Sequence, residues 1–273
     1  MRLLMVSPEH FDVRYAINAH MRDADGKLHA VDRARAAAQW QALRALYERL
    51  GALVHVVPGD PRYPDMVFCA NQTYPFVDAH GRRRALLSRM RAPERRGEVE
   101  LLRDAIAALG WEPCTIDRGF LEGAGDLVHD RSAHRVFAGH GFRTDADVLD
   151  DVEKLVGPLV RLRLVDERFY HLDTCLAILG ARRACFVPSA FDDDGVRALR
   201  EAFDDLVAID EADATERFAC NLFCLDGKNV VLQAGSARLV AELERLGLVV
   251  HEVETSEFIK AGGSVFCMKQ VLP

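Results

Sequence analysis

Four short polar stretches interrupt otherwise apolar runs: "FCANQ" (68–72), "LEGAGD" (121–126), "FYHLDTC" (169–175) and "GGSVFCM" (262–268). Between them they offer Asn71, Glu122, Asp126, His171, Asp173 and Cys267. These are the side-chain types of nucleophilic catalysis. A cysteine attacks as the thiolate, and a free thiol titrates near about 8.5, so it needs a neighbouring imidazolium or a bound cation. A histidine can return the proton to a leaving group. A carboxylate such as Glu122 can hold the imidazole in one orientation. Spacing alone does not select the pair, because 7 Cys and 10 His allow many combinations. Cys267 is either one more small buried residue on the last strand or a nucleophile that the last strand delivers into a site built earlier. His171 could equally be a strand histidine satisfied by backbone, and Glu122 a turn carboxylate facing water.

Other chemistries fit less well. Cys220 and Cys224 have three residues between them, and no second pair follows at zinc spacing, so a metal is not expected. They and Cys69, Cys114, Cys175 and Cys185 read as core. "GAGD" (123–126) and "GHG" (139–141) lack the spacing of a phosphate-binding loop. No organic cofactor is implied.

The elements that must gather these stretches follow a repeated order. Five segments carry apolar residues at spacings of three and four, which predicts helices over 31–50, 94–109, 145–156, 192–203 and 235–246. In the first, Trp40, Leu43, Leu46, Tyr47 and Leu50 share a face; Trp40 and Trp111 are expected in the core. Each helix is followed by a strand-like run, at 51–58, 110–117, 158–165, 206–210 and 247–254. Gly51, Gly110 and Gly247 stand where three of the helices should stop. Shorter apolar runs such as "RLLMVS", "RVFAGH", "RACFVP" and "NVVLQ" lie between. The chain therefore reads as a single α/β domain over residues 1–273, built from five successive helix-plus-strands units. A doubly wound parallel sheet is the competing arrangement.

The net charge of −7 argues against nucleic acid, and the short basic run "GRRRALLSRMRAPERRG" (81–97) does not change that. The N-terminal apolar stretch is too short for a secretory signal, and no run of 18 apolar residues suggests a membrane span. Seven cysteines without a signal indicate reduced thiols in the cytoplasm. A small molecule is the expected partner, exposed apolar residues leave a homodimer open, and the polar stretch 20–32 has the composition of a mobile loop.

At the polar stretches the sequence resembles the guanidine-modifying cysteine enzymes: arginine deiminases, dimethylarginine dimethylaminohydrolases and amidinotransferases. The resemblance rests on the order of "FCANQ", "LEGAGD", "GFRTDAD", "FYHLDT" and "GGSVFC" along most of the chain. It implies a five-bladed α/β propeller, the pentein fold, which agrees with the five units. It implies Cys267 as nucleophile, His171 as general acid/base, Glu122 binding the guanidinium and supporting His171, and Asp173 gripping guanidinium nitrogens. Arg143, with Arg91 as second candidate, would pair with the substrate α-carboxylate; Asn18 and Asp126 are further candidates for the site. The implied reaction is hydrolysis of arginine or a methylated arginine to citrulline through a covalent thiouronium. Two departures stand out. The deiminases usually carry aspartate where this chain has Asn71, which opens double hydrolysis to ornithine, carbon dioxide and ammonia. "EGAGD" is one residue longer than the common turn, which bears on Asp126. Amidino transfer is a further alternative, and a non-catalytic propeller binding protein is the alternative of another class.

Overall fold

The computed structural model describes residues 1–180 and 182–273. Its strands are β1 (Arg2–Val6), β2 (Leu53–Val57), β3 (Thr73–Val77), β4 (Arg83–Leu87), β5 (Glu112–Cys114), β6 (Leu127–Asp130), β7 (Arg135–His140), β8 (Leu159–Arg163), β9 (Leu176–Gly180), β10 (Arg183–Phe186), β11 (Asp205–Ala208), β12 (Phe223–Cys224), β13 (Asn229–Gln233), β14 (Val249–Val253) and β15 (Gln270–Leu272). They form five three-stranded sheets, the blades of an α/β propeller. No described sheet is wider than three strands, so the doubly wound arrangement is not the one adopted.

Each blade obeys one rule. A central strand pairs antiparallel with an inner strand and parallel with an outer one. Parallel pairing needs a crossover, and a helix supplies it. The five crossover helices are Arg33–Arg49, Glu98–Ala108, Leu149–Val156, Asp193–Ala202 and Ala237–Arg245. Two start later than the apolar periodicity suggests, because Pro93–Arg95 and Ala146–Val148 form 3-10 turns ahead of them. The central strands are covered on both faces, so they are continuous apolar runs: Leu3, Leu4, Met5 and Val6 of β1 are all fully buried. The first helix begins where the Asp32 carboxylate accepts the Arg35 N–H, a favoured N-cap. It buries Ala36, Trp40, Leu43 and Tyr47.

One blade is assembled from both ends of the chain. Its central and outer strands are β1 and β2, but its inner strand is β15, with Arg2 opposite Leu272 and Leu4 opposite Gln270. That pairing closes the ring. The inner strands β15, β3, β6, β9 and β12 surround the axis, and a polar turn precedes each one. Those turns carry Cys267, Asn71, Asp126, Asp173 and Asn221.

Two expectations need correction here. Cys267 is not on the last strand but in the turn before β15, and His171 is not on a strand but directly precedes the 3-10 turn Leu172–Thr174 that leads into β9. The physical reason is reach: a strand residue is fixed in a ladder, whereas a turn at the strand end can project its side chain over the axis.

Removing residues 270–273 takes away β15 and leaves the β1 edge unpaired. The expected outcome is a fall in melting temperature of roughly 5–10 °C, given the entropy of unfolding for a chain of this size. Thermal unfolding followed by circular dichroism checks it; an unchanged melt would contradict ring closure through β15.

Candidate active site

Asn221, in the turn before β12, organises the nucleophile. Its carbonyl oxygen accepts from the N–H groups of Phe266 (3.0 Å) and Cys267 (3.3 Å). Its amide donates to the Asp173 backbone oxygen (3.0 Å) and to Cys267 Sγ (3.2 Å). One fully buried side chain thus locks the Cys267 turn to the Asp173 turn. The Cys267 thiol in turn donates to Asp173 Oδ2 at 3.2 Å. Burial, then the Asp173 charge and the hydrogen bond to it, push the Cys267 thiol well above its usual range. Burial raises Asp173 to about 7, with the bonds from Cys267 and Asn221 and the Lys269 charge opposing it. Its Oδ1 has no partner. In the free protein the cysteine is therefore a thiol, and it is poised against a carboxylate that itself resists ionisation.

His171 lines the same cavity as Cys267 and is held from two sides. Nε2 lies 2.7 Å from Glu122 Oε2, and Nδ1 lies 3.4 Å from Asn71 Nδ2. The pairing assigns the tautomer: Nε2–H donates to the carboxylate, and Nδ1 accepts from the Asn71 amide. Glu122 has no free oxygen. Oε1 accepts the Arg91 backbone N–H (2.9 Å), and Oε2 also receives Arg143 Nη1 (3.3 Å). Burial pushes Glu122 upward, but the bond and charge of His171, with Arg143 and Arg95, outweigh it and hold the carboxyl at about 2. It is an anion at any working pH and fixes the imidazole.

Asn71 is oriented by Arg95, whose Nη1 donates to Asn71 Oδ1 at 3.2 Å. Arg95 also pairs with Glu98 (2.8 Å) and donates to the backbone oxygens of Asp65 (3.2 Å) and Phe68 (3.1 Å). A buried ion pair thereby pins the whole turn that precedes β3 and leaves the Asn71 NH₂ facing the imidazole. Asp65 is the other unsatisfied acid. Both oxygens lack a hydrogen-bond partner, with the Tyr15 hydroxyl close by but outside bonding geometry. Burial raises Asp65 to about 7, against the pull of the Arg95 charge.

Asp65, Asn71, Arg95, His171 and Cys267 line one cavity with Asn18, Arg143 and Tyr170. It has about 10 Å³ of free space, enough for about one water. Arg143 lies over the Tyr170 ring (4.9 Å) and donates to the Ile17 backbone oxygen (2.7 Å). Tyr170 donates to the Gly262 carbonyl, and Asn18 Nδ2 donates to Ala261 O (3.1 Å). The glycine at 262 has a reason: its φ is +84°, and a Cβ there would sit 2.6 Å from Asn18 Nδ2 and 2.7 Å from the Tyr170 hydroxyl.

Of the residues expected from sequence, Cys267, His171, Asn71, Arg143 and Asn18 line the cavity, and Asp173 touches the thiol. Glu122 lies behind His171 with both oxygens occupied, so in the free protein it supports the imidazole and offers nothing to a guanidinium. Two placements differ from expectation. Asp126 accepts from Thr144 Oγ1 (2.7 Å) and the Leu172 N–H (3.0 Å), bracing the His171 turn from outside the cavity. The Arg91 guanidinium pairs with Asp145 and covers Phe120 (4.5 Å), so only its backbone N–H serves the site. The sequence reading missed Asp65, Arg95, Asn221 and Tyr170. An acid inside the apolar "YPDMVF" and an asparagine inside "CNLFC" were visible signals; Arg95 was hidden in a basic run that looked like solvated surface.

A thiol, an imidazole fixed by a carboxylate, and two acids with unpaired oxygens around a narrow slot define a cysteine-dependent amidinohydrolase of the dimethylargininase/arginine deiminase type, carried on a pentein propeller. The chain belongs to the dimethylarginine dimethylaminohydrolase family: the family model described as "N,N dimethylarginine dimethylhydrolase, eukaryotic" matches residues 7–272. It is 38% identical to N(G),N(G)-dimethylarginine dimethylaminohydrolase of Mycobacterium tuberculosis, over 97% of this chain and 84% of that protein. It is 36% identical to the bifunctional arginine dihydrolase/ornithine cyclodeaminase AgrE of Nostoc sp., over 98% of this chain but only 37% of that protein's length. Among solved structures it is similar to the N-terminal domain of ArgZ, a cyanobacterial arginine dihydrolase solved as a cysteine-to-serine mutant bound to substrate. That match has a TM-score of 0.91 and 33% identity, and covers 98% of this chain and 97% of that one.

An acid whose pKa is raised on folding destabilises the fold above its folded pKa and has no effect below its unfolded one. Asp65→Asn is therefore expected to stabilise the free protein by about 2–4 kcal/mol at pH 8, with the gain closing toward zero as pH falls from 7 to 4. Denaturant unfolding at the two extremes checks this; equal stability at pH 8 would contradict an uncompensated Asp65.

Proposed function

We propose that this chain hydrolyses the guanidinium of L-arginine at Cys267 and that Asn71 carries the reaction through a second hydrolysis to ornithine. The observation that carries the first half is the charge imbalance of the cavity. Two buried acids, Asp65 and Asp173, hold oxygens without partners. A flat cation supplies those partners through charge-assisted hydrogen bonds and makes both acids ionise. Its positive charge beside Cys267 also favours the thiolate. The thiol's proton passes to His171 as the sulfur adds to the guanidinium carbon, His171 returns that proton to the departing nitrogen, the C–N bond breaks, and ammonia leaves. Water activated by His171 attacks the resulting thiouronium, the C–S bond breaks, and a ureido group remains. Arg143 is the cation in the cavity suited to the substrate carboxylate.

The orientation of Asn71 supports the second half. A ureido group is neutral and a poor electrophile unless its oxygen is hydrogen-bonded. Aspartate in this place could only accept; the Asn71 NH₂, held by Arg95, can donate to that oxygen. The thiol again passes its proton to His171 and attacks the ureido carbon, the C–N bond to ornithine breaks as His171 returns the proton, and water hydrolyses the S-carbamoyl group to carbamate, which decomposes to carbon dioxide and ammonia. The second reading, release of citrulline from arginine or a methylated arginine, is favoured by the family model and by the Mycobacterium tuberculosis relative.

Incubation with arginine, dimethylarginine and citrulline, with identification of the amino acid and amine released, separates these readings. Ornithine from arginine and from citrulline is expected; citrulline accumulating as the end product would sink the double hydrolysis. Cys267→Ser should lower turnover by at least about 10³-fold, and Asn71→Asp should shift the product toward citrulline. The free thiol should react slowly with iodoacetamide and far faster with a cationic haloacetamidine, with arginine protecting; mass spectrometry of the modified peptide reads both rates.

A further inference from the structure

The inner strands run away from the catalytic turns, and between them lies a second cavity of about 500 Å³. Tyr74 of β3, Leu127 of β6, Ile178 of β9, Phe223 of β12 and Val271 of β15 supply its mainly apolar walls. The hydrolytic chemistry has no use for this space, yet a charged side chain opens into it. Lys269 is only 1% exposed. Its Nζ lies 3.1 Å from the centroid of the Phe266 ring and 4.3 Å from that of Phe223. No carboxylate pairs with it among the described residues. Asp226, the acid in the wall, is committed to its own turn, accepting from Lys228 N (3.0 Å), Asn229 N (2.7 Å) and Asn229 Nδ2 (2.8 Å). Arg131 adds a second cation at the wall, exposed and in no ion pair among the described residues.

An unpaired buried ammonium is costly, and here burial draws Lys269 down to about 7 despite the Asp173 charge nearby. A visiting anion removes that cost. The ligand must also suit the walls. A single charge matches the one buried cation, and the mainly apolar walls favour a ligand with an apolar body over a phosphate. An amino acid would place its own ammonium near Lys269 and Arg131. We propose that this second cavity is a binding site for a small organic monocarboxylate with an aromatic or branched aliphatic body. Its carboxylate pairs with Lys269, its body lies against Tyr74, Ile178 and Phe223, and Arg131 strengthens the field at the wall.

Calorimetric titration of the full chain with 4-phenylbutyrate tests this. One saturable site is expected, with the neutral 4-phenylbutanamide at least tenfold weaker and Lys269→Met losing at least tenfold in affinity for the acid. Saturating arginine, added to the Cys267→Ser protein, should leave phenylbutyrate affinity unchanged. Equal binding of acid and amide, displacement by arginine, full affinity in a folded Lys269→Met protein, or no binding at all would overturn the proposal. If Lys269→Met does not fold, Ile178→Trp, which fills the cavity from its wall, must abolish binding; retained affinity there would overturn it equally.

Discussion

A thiol donating to a buried carboxylate is the contact around which this molecule is arranged. Cys267 and Asp173 sit 3.2 Å apart in a space that penalises both of their ionised forms. Burial disfavours the charged form of each, and it does the same to Asp65 at the cavity wall. The empty site is therefore electrically incomplete rather than merely hollow. Binding and activation become one event, because the same positive group that satisfies the acids also makes the sulfur a nucleophile. The compensated anion Glu122 plays the opposite part: with its oxygens occupied, it keeps the imidazole in one orientation whether or not a ligand is present.

The ring makes this convergence inexpensive in structural terms. Five inner strands point the same way, so the turns before them meet at one end of the axis without any long loop. Each turn contributes a different function: Asn71 a donor, Asp126 a brace, Asp173 a charge, Asn221 a clamp and Cys267 a sulfur. The fixed parts are built from buried, fully bonded polar groups, and the reactive parts are those left with unused oxygens. That contrast separates Asp126, with two partners, from Asp65, with none.

The helices and the outer strands were readable from sequence because their apolar residues recur with clear periods. All five crossover helices fall within the predicted spans. The inner strands were harder. β12 spans Phe223–Cys224 and β15 spans Gln270–Leu272, too short for any period to show. Cys267, His171 and Asn71 could be picked out because the resemblance named their motifs. Asp65, Asn221 and Arg95 could not, since what matters about them is three-dimensional. Asp65 matters for lacking a partner, and Asn221 for bonding two turns at once. Arg95 lay in a run of basic residues whose neighbours are exposed, and only packing shows that its guanidinium is buried against Glu98. Arg91 misled for the converse reason: a guanidinium in the right stretch turned toward Asp145 instead of inward.

The pairing of Arg2 with Leu272 has a consequence for how the molecule comes into being. During synthesis β1 is made first and must wait for every other strand before its last neighbour exists. Until then one edge of a largely apolar strand is open to wrong partners, a recognised route to aggregation. Contacts so distant in sequence also slow folding. The sulfur belongs to the same stretch, since Cys267 lies in the turn just ahead of β15. The site around the nucleophile is therefore completed by the same pairing that seals the ring.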